Sequence, residues 1–375
     1  MYLFFLKKDV ALGILLGVVI GLVLGYVVST RDIDNLKSQI SYLQSQIEQI
    51  RELMPPLRTL AEEKGILIGA AVSASYLIEA PYAQTLSREF NILTTENALK
   101  FEPVHPSRDQ YTFSDADAII SFAEAHGMKV RGHTLVWHQQ LPGWITQGTF
   151  TREEWKTILH DHITTVVNRY RGRIYAWDVV NEAIEDDGSL RNTVWLQGIG
   201  PEYIKLAFEW AHEADPQALL FYNDYGASGS GVKSDAVYNL VKNLTESGVP
   251  INGVGLQMHT SLESPPIFGD IAANFKRLND LGLEVQVTEM DVRLRTPATT
   301  EDLTQQANIY RNMLEACLSA DNCTAFVMWG FTDKYSWIPG ANPGYGSALI
   351  FDESYNPKPA YYALINVLAE RSNQD

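Results

Sequence analysis

Cysteine is almost missing from this chain: there are two in 375 residues. Two thiols cannot build a Cys-rich metal cluster. Positive charge is scarce as well, with 29 Lys and Arg against 45 Asp and Glu, a net charge of −16. So acidic a surface repels a phosphate backbone, which argues against nucleic acid as a partner and favours neutral or cationic ligands. No G-x-x-x-x-G-K-[ST] loop is present to cradle a nucleotide. No G-x-S-x-G turn presents a serine nucleophile, and no H-E-x-x-H helix presents a zinc site. No low-complexity stretch or linker interrupts the chain after residue 58. What is there is ordinary for a folded protein: 46% apolar and 20% charged residues exclude a disordered or fibrous chain. Eight Trp and 18 Tyr supply flat aromatic surface of the kind that stacks on sugars.

The N-terminal segment differs from the rest. Up to Leu57 the five basic and five acidic residues cancel, so the whole negative charge belongs to residues 58–375. Val10 to Val28 is an unbroken apolar run interrupted only by Gly. At helical rise it spans roughly 28 Å, close to a bilayer core. Lys7 and Lys8 precede it, as on a cytoplasmic flank. The run is longer than a signal-peptide core, and Tyr26–Thr30 is a poor cleavage site, so an uncleaved anchor is expected rather than a removed leader. Gly13, Gly17, Gly21 and Gly25 share one helix face, where a second helix could approach. Ile33, Leu36, Ile40, Leu43, Ile47, Ile50, Met54 and Leu57 then alternate spacings of three and four, the a/d pattern of a coiled coil. Ile at a and mostly Leu at d lean toward a parallel homodimer, and Pro55–Pro56 should end the helix. The expected organisation is a tail and membrane helix over 1–30, a stalk over 31–57 and one domain over 58–375.

In that domain, β-rich runs alternate with amphipathic ones. Strands are expected at 66–72, 92–97, 129–137, 174–182, 219–225, 253–259, 284–291 and 325–332. Helical patterns lie between them, for example at 151–171, 201–214, 233–247, 265–281 and 300–319, and a last helix fits 358–370. The strands read as continuous apolar runs, as strands buried on both faces do. Eight β/α pairs predict an α/β fold of the (β/α)8 barrel type, whose chemistry sits at the C-terminal ends of the strands. Those ends carry Glu96 and Asn97; His133, Trp137 and His138; Asn181 and Glu182; Asn223, Asp224 and Tyr225; Gln257 and His259; Glu289 and Asp291; and Trp329. Polar groups from seven strands converge there on one rim.

His133, His138 and His259 are conceivable metal ligands, but each has carboxylates nearby in the pattern that could hydrogen-bond it instead. No metal site is expected. Two glutamates on opposite sides of the barrel mouth, Glu182 and Glu289, remain. A carboxyl pair is what glycosidic cleavage requires, one protonating the leaving oxygen and the other attacking or activating water.

At these residues the sequence closely resembles glycoside hydrolase family 10, the retaining endo-β-1,4-xylanases, over roughly residues 60–370. The resemblance is carried by TTENALKFEPVHP (94–106), RGHTLVWHQQLPGW (131–144), WDVVNEAIEDDGSLR (177–191), GVGLQMH (253–259), VTEMDVR (287–293), VMWGFTDKYSW (327–337) and SALIFDESYNPKPAYYAL (347–364). It implies that Glu182 is the general acid/base and Glu289 the nucleophile. Asn181 would bond the 2-hydroxyl of the reacting sugar, and His259 with Asp291 would orient the nucleophile and keep it ionised. Glu96, Asn97, Lys100 and Gln140 would bond glycone hydroxyls. His133, Trp137, Gln257 and Trp329 would surround the cleaved sugar. Trp337 would cover the glycone side, and Tyr225 could stack on the aglycone side. No cofactor is implied. Cys317 and Cys323 lie where the family often has a disulfide, which implies an oxidising compartment.

Leu99, Phe101 and Gln139 stand where the family usually has Met, Trp and Ser, which touches subsite detail rather than the reaction. Asn243 and Asn322 open glycosylation sequons. The resulting expectation is a single-pass membrane xylanase whose barrel meets xylan and xylo-oligosaccharides outside the cell, with secretion after leader cleavage as the alternative. Two rivals stand beside it. One is another β-1,4-glycanase on the same barrel, acting on cellulose, β-glucan or mannan. The other is a non-catalytic surface protein that binds polysaccharide.

Overall fold

Parallel strands rich in Val, Ile and Leu must be covered on both faces, and closing the sheet on itself inside a ring of helices does this without leaving an edge. The computed structural model describes residues 33, 35–43 and 54–370, and the chain divides into two units, Met1–Pro55 and Pro56–Asp375. In the first unit residues 35–43 are helical. Ile33 and Ile40 are exposed, while Leu36 and Leu43 are half-buried. The membrane span expected at 10–28 lies outside the described residues, as do the heptad positions Ile47 and Ile50. Among the described residues no helix is long and apolar enough to cross a membrane.

The second unit is the expected barrel. Strands β1 (Leu67–Val72), β2 (Ile92–Thr95), β3 (Lys129–Val136), β4 (Ala176–Asn181), β5 (Leu219–Asp224) and β6 (Gly253–Leu256) follow one another in parallel. Strand β7 (His259–Ser261) is a short addition. β8 (Glu284–Arg295) and β9 (Cys323–Met328) complete the ring, which closes with Leu67 beside Ala325. β10 (Tyr345–Gly346) pairs antiparallel with the far end of β8.

The sixth strand differs from the expectation. The run 253–259 is not continuous, because Met258 takes φ 61° and breaks it. The chain resumes as β7 on the upper part of β8, with His259 in register with Asp291. The break thus moves His259 from the barrel wall to a place beside a carboxylate. Leu57, the last position of the heptad pattern, starts a helix of the barrel unit, Leu57–Glu63, with Pro56 as its N-cap. It is fully buried, and its N–H donates to Glu89 Oε2 at 3.0 Å.

Helix starts follow sequence chemistry. Thr151 with Glu154, and Thr299 with Asp302, form capping boxes on the helices Arg152–Arg169 and Thr300–Leu318. Four short helices not anticipated from the sequence, Phe101–Val104, Gly143–Thr146, Val194–Ile199 and Ile338–Ala341, sit in the loops after strands. They have four to six residues each, too few to show a helical period.

The barrel interior is not purely apolar. Arg131 is fully buried, and its guanidinium forks onto Asp178 while Nη1 donates to Gln286 Oε1 at 2.6 Å. A buried charge is tolerated only when paired in this way. Gly255 gives it room, since a Cβ there would lie 2.9 Å from Arg131 Nη2 and 2.2 Å from Asn223 Oδ1.

Cys317 and Cys323 form a disulfide, Cα atoms 5.2 Å apart, tying the end of Thr300–Leu318 to the start of β9. Closing so short a loop constrains the unfolded chain by about 2 kcal/mol. Cys323→Ser is expected to lower the unfolding free energy by that amount. Equilibrium unfolding with and without reductant measures it. Asn322 is buried, its Nδ2 donating to the carbonyls of Phe275 and Leu283, so its sequon is closed to modification in the folded protein. Asn243 is exposed.

Candidate active site

Each strand delivers its last side chains to the same end of the barrel, and the ladder register decides which of them meet. Glu289 on β8 is almost fully buried. Its Oε1 accepts from Asn223 Nδ2 at 2.8 Å, and its Oε2 from His259 Nε2 at 3.1 Å. His133 Nδ1 stands 4.0 Å from Oε1. Burial pushes the Glu289 carboxyl up, but the His259 hydrogen bond and the nearby imidazoles of His133 and His259 outweigh it and hold Glu289 below its ordinary value. It is built to be a carboxylate.

His259 works in the opposite sense. Burial disfavours its charge, yet Asp291 at 2.8 Å on one side and Glu289 on the other push it up to about 10. His259 is therefore an imidazolium donating from both nitrogens. The imidazole is ordinarily half-titrated at 6.5. Its stabilising contribution is complete below pH 6.5 and is lost as pH rises through about 10, because over that interval the folded chain holds a proton that the unfolded chain has released. Urea unfolding at pH 6 and pH 10 should show the parent losing stability across this window. His259→Gln, lower at both ends, should lose less between them.

Glu182 lies just beyond β4 with φ 56°, a conformation rare for a residue with a Cβ. Its backbone is pinned: its N–H donates to the Asn223 carbonyl at 2.9 Å, and Arg191 Nε donates to its carbonyl at 2.8 Å. Ala183 N–H donates to Tyr222 Oη. The turn aims the carboxylate into the mouth, where Oε2 accepts from Trp137 Nε1 at 2.8 Å and Oε1 from Gln257 Nε2 at 3.0 Å. Both donors are neutral. His138 Nδ1 is 4.0 Å away, and burial holds that imidazole below its ordinary value.

The two glutamates belong to one network. Gln257 bonds Glu182 and also Asn181, and Asn223 bonds Asn181 at 2.9 Å and Glu289 at 2.8 Å, in the amide orientations of the structure. Behind it, His133 Nδ1 sits 2.9 Å from Asp178 Oδ2; burial pushes Asp178 up, but the charges and hydrogen bonds of Arg131 and His133 together outweigh it and keep Asp178 low.

On one side of the pair, Lys100 Nζ donates to Asn97 Oδ1 at 2.9 Å and lies 4.7 Å from the centre of the Trp137 ring. Gln140 Nε2 reaches the same Asn97 oxygen at 3.3 Å. Glu96 accepts from Asn97, and burial raises its carboxyl above the usual range. Burial lowers the Lys100 ammonium despite Glu289, Glu96 and Glu182 around it. Trp329 meets His133 edge to face at 5.1 Å, and Trp337 donates to Asp291. Tyr225 stands apart from this network. Its hydroxyl accepts from Arg191, and Lys233 Nζ covers one face of its ring at 3.1 Å. Among the described residues no group of His, Cys, Asp and Glu is placed to hold a metal ion.

Sequence reasoning gave no role to Asn223, Arg131, Asp178 or Arg191. Asn223 follows four apolar residues on its strand, and Arg131 and Asp178 are charges inside otherwise apolar runs, a signal that they must be paired. The departures Leu99 and Phe101 are buried, Phe101 stacked on His162 at 3.9 Å, so both fill core beneath the cleft. Gln139 is exposed.

Comparison with known proteins agrees with this geometry. The family profile described as Glycosyl hydrolase family 10 matches residues 56–367. Endo-1,4-beta-xylanase B of Thermotoga neapolitana is 47% identical over 320 residues, covering 84% of this chain and 92% of that one. Endo-1,4-beta-xylanase of Agaricus bisporus is 40% identical, covering 83% and 93%. The crystal structure of xylanase 10B from Thermotoga petrophila in complex with xylobiose superposes with a TM-score of 0.82 at 48% identity, covering 84% of this chain and 97% of that one.

Proposed function

This chain belongs to glycosyl hydrolase family 10, and from that premise we infer how its barrel works. It is an endo-1,4-β-xylanase that hydrolyses xylan. Glu289 is the nucleophile, and the observation that carries this assignment is its place between Asn223 and the His259 imidazolium, which keeps it ionised. Glu182 is the acid/base. In the first step Glu182 gives its proton to the glycosidic oxygen while a Glu289 oxygen bonds the anomeric carbon and the aglycone leaves. In the second, the Glu182 carboxylate takes a proton from water, the water oxygen bonds the same carbon, and Glu289 is released as a carboxylate. Asn181, held by Gln257 and Asn223, faces the 2-hydroxyl. Lys100, Asn97, Glu96 and Gln140 bind glycone hydroxyls, Trp137 and Trp329 enclose the reacting sugar, and Tyr225 offers its uncovered face to the aglycone.

The N-terminal segment places this reaction. Residues 10–28 anchor the chain in a membrane, residues 31–54 pair two chains in parallel, and the barrel faces outward, since polymeric xylan does not cross a bilayer. Membrane fractionation and cross-linking of the full chain test this. Recovery from the medium as a shortened monomer would replace the anchor with a cleaved leader.

The substrate is tested by incubating the full chain with xylan, carboxymethylcellulose and mannan and counting new reducing ends. Release from xylan in excess is expected. Release only from another glycan would make the protein a sister glycanase, and release from none would leave a binding protein.

A further inference from the structure

The carboxylate that steers the nucleophile's histidine also holds the exposed tryptophan at the mouth. Asp291 is fully buried on β8. Its Oδ1 has no hydrogen-bond partner among the described residues. Both of its donors converge on Oδ2: His259 Nδ1 at 2.8 Å and Trp337 Nε1 at 2.8 Å. His259 continues to Glu289 at 3.1 Å. Trp337 is 39% exposed, stands at the start of the short helix Ile338–Ala341, and places its ring 5.0 Å from that of His259. A ring placed there only to cover sugar needs no buried ionic partner. Here its N–H shares one oxygen with the imidazolium that fixes the nucleophile.

We propose that Trp337 is a positioning residue for Glu289, acting through Asp291 and His259, in addition to its contact with sugar. The proposal rests on the assignment of Glu289 as nucleophile. The N–H draws off part of the Asp291 charge. Without it the carboxylate field on His259 and Glu289 strengthens, and Glu289 ionises at higher pH. A sugar resting on Trp337 holds the ring in place, so glycone occupancy reaches the nucleophile along this line. The ionisable groups that face the triad are His133 and Lys100, with Asp178 behind His133, Glu96 beside Lys100 and lining the same cleft as Trp337, Glu182 across the mouth, and Tyr310 from the helix Thr300–Leu318. Tyr310 is buried with its hydroxyl donating to the Ala348 carbonyl.

The test compares pH profiles of kcat/KM on xylotetraose for the full chain, for Trp337→Phe, and for the chain carrying β-(3-benzothienyl)alanine at 337, which keeps the bicyclic ring and lacks the N–H. The acidic limb should move up by about half a pH unit in both variants. KM should rise strongly only for Trp337→Phe, which also loses ring area. An acidic limb that stays with the parent in the benzothienyl protein overturns the proposal and leaves Trp337 a stacking surface. A parent that shows no turnover at any pH overturns the functional reading instead.

Discussion

Glu289→Ala should abolish turnover of xylan, with kcat falling on the order of 10⁵-fold, a loss of about 7 kcal/mol of transition-state stabilisation. The size follows from the site. Asn223, His259 and, behind it, Asp291 all serve to hold one carboxylate ionised and aimed, so removing it disables the group together. The fold should survive, because Glu289 contributes to the site rather than to the apolar core. Azide, small enough to enter the space left by the carboxyl, should restore part of the rate. It would approach from the nucleophile's side, so the product expected is the α-xylosyl azide. Unchanged activity in this variant would remove Glu289 from the mechanism.

Glu182→Ala should behave differently, and the difference separates the roles. On xylan, whose leaving sugar needs a proton, kcat/KM should fall roughly 10²–10⁴-fold. On a dinitrophenyl xylobioside, whose leaving group departs without help, formation of the glycosyl-enzyme should be nearly normal and its hydrolysis slow. The variant should then show a burst followed by a slow steady state. Azide should accelerate that second step and yield the β-azide, the opposite anomer to that from Glu289→Ala. Equal losses on both substrates would argue that Glu182 binds sugar rather than transferring protons.

The barrel was legible because its signals are local. Each buried strand is a short apolar run, and each helix carries its own period and, at Thr151 and Thr299, its own cap. Glu182 and Glu289 were legible because polar residues at strand ends have no place in a core. What escaped depends on contacts between distant segments. Asn223 gains its role only when β5 is set between Asn181 and Glu289 by the ladder register. The break at Met258 leaves no local mark, because Gln257–Met258–His259 alternates as well as a strand does, and only the pairing of His259 with Asp291 shows why the backbone turns there. Leu57 fits the heptad spacing and the barrel core equally well by sequence. The buried Glu89 and the Pro55–Pro56 stop assign it to the core. Arg131 and Asp178 lie 47 residues apart, and their mutual neutralisation is invisible until β3 and β4 are side by side.

The central claim is that Glu289 forms a covalent bond to the sugar. The direct measurement is to treat the full chain with 2,4-dinitrophenyl 2-deoxy-2-fluoro-β-xylobioside, whose fluorine slows the second step. The protein is then digested and the labelled peptide sequenced by mass spectrometry. One fluoroxylobiosyl group on the carboxylate of Glu289, in the peptide containing Val287-Thr288-Glu289-Met290-Asp291, is the predicted result. A label on any other residue, or an active enzyme that takes no label while releasing α-configured product from the start, would contradict it.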